Sequence, residues 1–519
     1  MRASPLLLAG LILWPGLVHA ETQGDRFGAG GYFRVMTRPD LQGGDSRLGY
    51  WNLYGRLLNE GPWGALELKL DVLQQTPGTG EVWASLHTKI EGGSIANSDV
   101  NQGWLGQYRV SQLYVKAGNI LFPHVTWQLG TLDSYLGDLG LYDMKPAEIF
   151  FDTVGLSGRY DHGPVELLLG LGDAGYFIRG TQGEVGRVTI FVPFGGGVIP
   201  YNTIISGGGY LRVRLGEHFE VGAGGQGYYE PEVPGNRFAP HQTPGVSYED
   251  FYRGEIVQHY LDENPGQEEM FGRNDLTRPI SSASTSYKLV AYLGFGKLGP
   301  IRWNNFFANY MRRHPDNFVT ETYQGRDYTI YVAKLTSHRF QINAGNEMQV
   351  GIIPDRLDAV WACLYGRYVD KDNTIAPSDN NREFYSTVLR LQLYITPTIH
   401  LLFENAVARE KSLNGKMWRQ HFDSLFTNDG RIADSRGLQF GDTDQRITWQ
   451  GKGGVVFNPL GTGIYNRPSL RVLYGLQYSN VHDAFANNFA DSLDQYNQFP
   501  EHKDRHLHSV FAIEAEAWF

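Results

Sequence analysis

The sequence predicts an all-β protein: a transmembrane antiparallel β-barrel with one loop folded inward. Three observations predict it. Apolar and polar side chains alternate with period two in segments spread from Phe27 to Phe519. The composition is rich in glycine (64 residues) and in aromatics (13%, with 30 tyrosines), the supply that turns and interfacial girdles draw on. Beyond the first twenty residues, no stretch approaches the roughly 18 consecutive apolar residues of a spanning helix. Strands can cross hydrocarbon only when every backbone group is paired, which requires a closed barrel. A soluble β-sandwich also alternates, because it buries one face against a second sheet. Against it stand the many alternating segments of one undivided chain and the export signal.

Residues 1–20 read as a signal peptide. Arg2 supplies the positive start, Leu6 to Val18 the apolar run, and Val18-His19-Ala20 a small-x-small cleavage site. That run is too short to span a bilayer as a helix. Residues 21–519 then form a single barrel domain in the bacterial outer membrane, with outer-membrane lipid as its surroundings. In the first strand Phe27, Ala29, Gly31, Phe33 and Val35 share a face opposite Tyr32, Arg34, Met36 and Arg38. Val165, Leu167, Leu169 and Leu171 repeat the pattern, as do Leu211, Val213 and Leu215 against Tyr210, Arg212 and Arg214. Later segments set Tyr385, Leu389 and Leu393 against Ser386, Arg390 and Gln392, and Leu470 and Val472 against Arg471. The chain closes with Phe511, Ile513, Ala515, Ala517 and Phe519 on one face, and Ala512, Glu514, Glu516 and Trp518 on the other.

Gly216-Glu217-His218, Thr396-Pro397-Thr398 and Lys297-Leu298-Gly299-Pro300 read as hairpin turns. The segments 230–284, 314–327, 370–382, 410–446 and 480–505 read as long loops. Short turns at one end and long loops at the other are the asymmetry of an outer-membrane barrel.

The net charge of −10 disfavours nucleic acid as a partner. Cys363 is the single cysteine, so no internal disulfide forms. His502, His506 and His508 cluster before the last strand, but no carboxylate or cysteine completes a ligand spacing; they read as a wet rim, and no cofactor is expected. Gly170 to Gly175 imitates a dinucleotide loop without opening a helix. With no Gly-x-Ser-x-Gly elbow and no nucleophile–base pair to name, the chain does not read as an enzyme.

The inward faces bear on function. The first strand presents Tyr32, Arg34 and Arg38, and LGYWNLYGRLL, read as a strand, presents Asn52, Tyr54 and Arg56 with Leu53, Gly55 and Leu57 outward. Between Thr131 and Thr153, Asp133, Asp138, Asp143, Glu148 and Asp152 face a single Lys145, in a pattern that is not strand-like throughout. We expect part of this segment, Tyr135 included, to fold inward and narrow the pore opposite the arginines. Carboxylates and guanidinium groups would there accept and donate hydrogen bonds to hydroxyl groups. The bland alternative is a solvated surface loop.

GYFR at Gly31–Arg34, SRLG at Ser46–Gly49, RPSLRVLYG at Arg467–Gly475, the terminal EAEAWF and the run from Thr126 to Asp161 resemble maltoporins. The resemblance covers both ends and the first third of the chain. It implies an 18-stranded barrel (16 being the alternative), a homotrimer, and passive diffusion of maltodextrin-like oligosaccharides past a constricting third loop. It implies aromatic slide positions at Tyr32 and Trp518, and polar-track positions at Arg34 and Arg47. Tyr54 and Arg56 follow as the next slide and track positions if one residue is gapped. Sugar rings have apolar faces and hydroxyl rims, which suits aromatic planes beside charged groups. Two departures stand out: Gly130 to Tyr135 lacks the family's arginine at the start of that loop, and a surface-loop cysteine pair is missing. They keep open a broader carbohydrate channel or a general porin, and the lumen arginines support a further alternative, a general-diffusion porin or exporter of an anionic polysaccharide.

Overall fold

The computed structural model describes residues 26–39, 48, 51–74, 80–93, 108–174, 189–192, 195–198, 204–230, 284–312, 318–323, 326–331, 340–369, 382–412, 445–480 and 506–519. In chain order the strands begin with β1 (Phe27–Thr37), β2 (Trp63–Leu73), β3 (Trp83–Gly93), β4 (Tyr108–Gly118), β5 (Val125–Tyr135), β6 (Glu148–His162) and β7 (Val165–Asp173). Next come β8 (Thr189–Val192), β9 (Gly195–Val198), β10 (Ile205–Leu215), β11 (Phe219–Glu230), β12 (Ser284–Leu298), β13 (Ile301–Arg312), β14 (Phe318–Tyr323) and β15 (Arg326–Tyr331). The last are β16 (Phe340–Ile353), β17 (Leu357–Val369), β18 (Arg382–Tyr394), β19 (Ile399–Ser412), β20 (Gln445–Phe457), β21 (Ser469–Ser479) and β22 (Leu507–Trp518). A one-turn helix, α1 (Trp51–Tyr54), lies between β1 and β2.

Among the described residues, eighteen strands form one sheet, and β8–β9 and β14–β15 are separate hairpins within loops. β1 pairs antiparallel with β2 on one side and with β22 on the other, so the sheet closes. At the seam the Gly31 amide donates to the Phe519 carbonyl at 2.8 Å, and the Phe519 amide returns a bond to Gly31 at 3.0 Å. The chain's last residue is thus held in the ladder, which leaves no free edge there.

The alternation behaves as the sequence predicts. Leu167, Leu169, Leu171, Leu211, Tyr385, Leu389, Leu470 and Ile513 are exposed on the outer wall. Glu166, Ser386, Arg390, Arg471, Glu514 and Glu516, of opposite parity, are buried inside. An apolar exterior around a polar interior is the architecture of an outer-membrane barrel. The three predicted hairpin turns fall between β10 and β11, β12 and β13, and β18 and β19. The loop read as 314–327 runs further: β13 ends at Arg312 and β16 begins at Phe340, with β14–β15 between them.

One element departs from expectation. Within LGYWNLYGRLL, residues 51–58 are not a strand: they form α1 and the turn after it, and Leu53, Tyr54, Leu57 and Leu58 are all buried. Its apolar residues are too many for a water-facing loop, yet they do not face lipid. Leu53 and Tyr54 pack inside the barrel with the third loop, residues 136–147, whose Leu136, Leu139, Leu141, Tyr142 and Ala147 have no exposure, whereas Leu57 and Leu58 pack with Leu48 against Leu402, Val456, Leu473, Val510 and Ala512 of β19 to β22. The lumen wall answers with apolar side chains of its own: Leu168, Tyr210, Val290, Phe307, Val360, Leu364, Phe384 and Val388. Glycines make room for these contacts. A methyl group on Gly222 would meet Leu136 at 2.9 Å, and one on Gly345 would meet Leu139 at 2.7 Å. The barrel therefore carries hydrophobic packing inside its lumen: one cluster of both loops against the wall as far as β19, and a smaller one of the first loop against β19 to β22.

Candidate functional site

The site is built where the first loop, the third loop and the seam meet. The loops are joined by backbone: the Arg56 amide donates to the Leu141 carbonyl at 2.9 Å. The third loop closes on itself, Leu139 N–H to Met144 C=O at 2.8 Å, and is fixed to the wall by Leu141 N–H donating to Glu347 at 2.8 Å. Tyr465, in the turn between β20 and β21, donates to the other oxygen of Glu347 at 2.7 Å. Tyr142 and Ser386 share a hydrogen bond at 2.9 Å, and Asn309 donates to the Pro146 carbonyl at 2.7 Å. The first loop is anchored likewise: Lys452 donates to the Tyr54 carbonyl at 2.8 Å and Asn59 to Gln450 at 3.0 Å. Both loops are pinned by polar wall residues as well as by apolar contact.

The seam carries guanidinium groups interleaved with carboxylates. Arg34 pairs with Glu60 and donates to the Gly61 carbonyl at 2.9 Å. Arg56 donates to the same Glu60 oxygen at 2.9 Å and to the Tyr32 hydroxyl at 3.2 Å. Glu516 accepts from Tyr32 at 2.9 Å, Arg467 at 2.5 Å and Arg471. Arg38 donates to Glu514 at 3.0 Å. The space these groups enclose is about 10 Å³, bordered by Arg34, Arg56, Glu60, Arg390, Tyr465 and Glu516. That holds about one water and no sugar. Burial would favour neutral Glu60, but Arg56 and Arg34 outweigh it and hold its carboxyl below the ordinary range. At the tip of the third loop Asp143 lies 4.0 Å from Arg56 and is 49% exposed. Withdrawal from bulk water, against the pull of Arg56 and reinforced by Glu60, raises its carboxyl.

The residues singled out in sequence divide sharply. Tyr32 lies on the lumen face of β1, its ring 4.9 Å from that of Trp518, and Trp518 sits 62% exposed at the end of β22. The two residues are neighbours in register. Arg34 is buried in its ion pair. Arg56 is half-buried and belongs to the first loop, not to a strand. Tyr54 is corrected: it is 2% exposed, donates to Glu410 at 3.0 Å, and presents no ring to a passing solute. Asp133 is half-buried on β5, 3.7 Å from Lys145, whose ammonium lies 4.2 Å over the exposed Tyr135 ring. Asp138 is exposed on the third loop, and Glu148 pairs in register with Tyr135 at the loop's base. Arg47 and His502 lie outside the described residues, as do the signal peptide and the side chain of Asp152. His506 bonds the Ser479 carbonyl at 2.8 Å, and His508 is buried.

The wall that continues from the seam, β2 to β4, was not singled out in sequence. Across β2, β3 and β4 the lumen faces align as Glu67–Lys89–Gln112, Lys69–His87–Tyr114 and Asp71–Ser85–Lys116. These charges retain water: the Glu67 side chain is 64% exposed, and Lys69 and Lys89 are partly so. On β18 to β20 the lumen charges Arg390, Glu404, Glu410, Arg446 and Lys452 are buried beneath the first loop. The signal that could have located the wet wall was plain: polar parity in ELKLD and SLHTKIE, with no apolar residue on the lumen face.

No family model matches the sequence, and no curated protein is similar to it at a significant level. Among solved structures, the outer-membrane channel DcaP of Acinetobacter baumannii is 8% identical, with a TM-score of 0.42 over 75% of this chain and 92% of that one. OccAB1 of Acinetobacter baumannii is 9% identical, with a TM-score of 0.41 over 96% and 98%. OprD of Pseudomonas aeruginosa is 9% identical, with a TM-score of 0.39 over 95% and 94%.

Proposed function

We propose that the protein is an outer-membrane channel for passive diffusion of carbohydrates. One observation carries the reading: the lumen wall of β2 to β4 keeps donors, acceptors and an aromatic ring in partial contact with water, opposite a fixed plug. Glu67, Lys89, Gln112 and Tyr114 offer both hydrogen-bonding senses to hydroxyl groups. The exposed Tyr135 and Trp518 offer ring faces near the plug and at the end of the last strand. The resemblance to maltoporins supplies the substrate class, maltodextrin-like oligosaccharides, and the homotrimer. Planar-bilayer recording with maltohexaose is the test. We expect ion current to fall as the sugar is added; an open channel that no sugar concentration blocks removes the carbohydrate reading and leaves a general porin.

A second reading, a channel for anionic polysaccharide, draws on the arginines of the seam. The arginines that favoured it in sequence are tied up in ion pairs: Arg34 with Glu60, Arg471 with Glu516. Exchanging Arg34 for alanine should therefore disturb the seam more than ion selectivity.

A further inference from the structure

We propose that solutes cross by an eccentric conduit between the two-loop plug and the β2–β5 wall, and that Lys116 is an oxyanion-binding step within it. This rests on the channel reading above and adds to it a preference, among hydroxylated solutes, for those that bear a carboxylate or phosphate. The position of the conduit follows from where water reaches charge. Lumen charges from β18 to β20 are sealed under α1 and the third loop, whereas those from β2 to β5 are half-exposed. A sugar-sized body cannot use the seam, whose enclosed space is about 10 Å³.

Within the wet wall most cations already have carboxylates. Lys69 sits 3.2 Å from Asp71, Lys89 lies 3.0 Å from Glu91, and Lys145 lies 3.7 Å from Asp133. Lys116 differs. Its ammonium lies 5.2 Å from the centroid of the Tyr114 ring, and its register partners, Ser85 and Gln128, are neutral. His87, stacked on Tyr114 at 4.8 Å, and Arg159 stand on the same lumen face. A half-buried ammonium held by a ring attracts a passing oxyanion more strongly than one already neutralised by a neighbour. Ser85 is buried and shares a hydrogen bond with His87 at 2.8 Å, and the Gln128 amide nitrogen donates to the Thr131 carbonyl at 2.7 Å; the partly exposed His87 ring and the Gln128 amide oxygen are left to meet the hydroxyls of the same solute.

The test uses the full chain in planar bilayers, with gluconate and glucose 6-phosphate as the two oxyanion probes and glucose as the neutral control. We expect both anions to block current more strongly than glucose. Lys116→Gln should weaken that block roughly fivefold, about the factor that a unit charge at 4 Å contributes in water. Lys116→Arg should restore it. Which anion loses more tells carboxylate from phosphate.

A second measurement places the path itself. In a Cys363→Ser background, a charged thiosulfonate should modify Lys116→Cys quickly and lower conductance. Val388→Cys, buried under the third loop, should stay unmodified. Equal modification of both cysteines overturns the eccentric conduit. Conduction with anion block unchanged in Lys116→Gln overturns the oxyanion step while leaving the channel reading intact. A wild-type protein that never conducts overturns the channel reading, and this inference with it.

Discussion

At the scale of single residues, two carboxylates in the same ion-pair network titrate in opposite directions. Asp143 is raised, because it is partly withdrawn from water and stands near Glu60, in spite of Arg56. Glu60 is lowered by Arg56 and Arg34 in spite of its burial. As pH falls, Asp143 takes its proton before a free aspartate would, that is, above about 3.9. The third-loop tip then loses its negative charge and the channel should pass anions more readily. Reversal potentials in a salt gradient should record this step, and Asp143→Asn should show the shifted selectivity at every pH and no step. Glu60 behaves otherwise. Its depressed carboxyl contributes stability that is complete above the unfolded value of about 4.3, and that is lost only as pH falls through the lower folded one. The first loop should therefore remain docked, and resistant to protease, throughout the titration of Asp143.

At the scale of elements, the strands were legible and the first loop was not. Strand faces show in sequence because lipid and water impose period two on every crossing, as in Val165, Leu167, Leu169 and Leu171. The same rule misled at LGYWNLYGRLL, where Asn52, Tyr54 and Arg56 alternate by chance within a loop. Nothing local says that Leu53, Leu57 and Leu58 should be covered by the lumen wall instead of by lipid. The third loop was easier to find, since its acidic run broke the alternation, but what holds it in place was not read from the sequence. The apolar side chains Leu136, Leu139 and Leu141 hold it, and the acids stand at its tip and base. Leu139→Ala tests this. Removing a fully buried leucine against Gly345 costs about 2–5 kcal/mol. Because that cost falls first on loop docking, we expect larger, noisier single-channel conductance and faster loop proteolysis, together with a lower unfolding midpoint.

At the scale of the whole molecule, the barrel has two apolar surfaces of different physics: an outer one solvated by lipid and an inner one packed like a soluble core. Leu168 and Leu169, adjacent on β7, separate them. Leu168 points inward at 2% exposure, against the third-loop cluster; Leu169 points outward at 58%. Truncating Leu168 to alanine leaves a cavity in a rigid assembly and should cost about 2–5 kcal/mol. Truncating Leu169 should cost far less, because lipid tails are as apolar as leucine and flow into the space. Arginine reverses the comparison in origin though not in sign: at position 169 it faces hydrocarbon, at about 2–4 kcal/mol near the bilayer midplane. Urea unfolding of the four proteins in liposomes gives the comparison. Equal losses for the two alanine variants would mean that the inner surface is no core at all, and that the loops lie loosely in a wide, wet pore. A large loss for Leu168→Ala beside a small one for Leu169→Ala would mean that the plug is part of the fold, so that whatever passes must pass beside it.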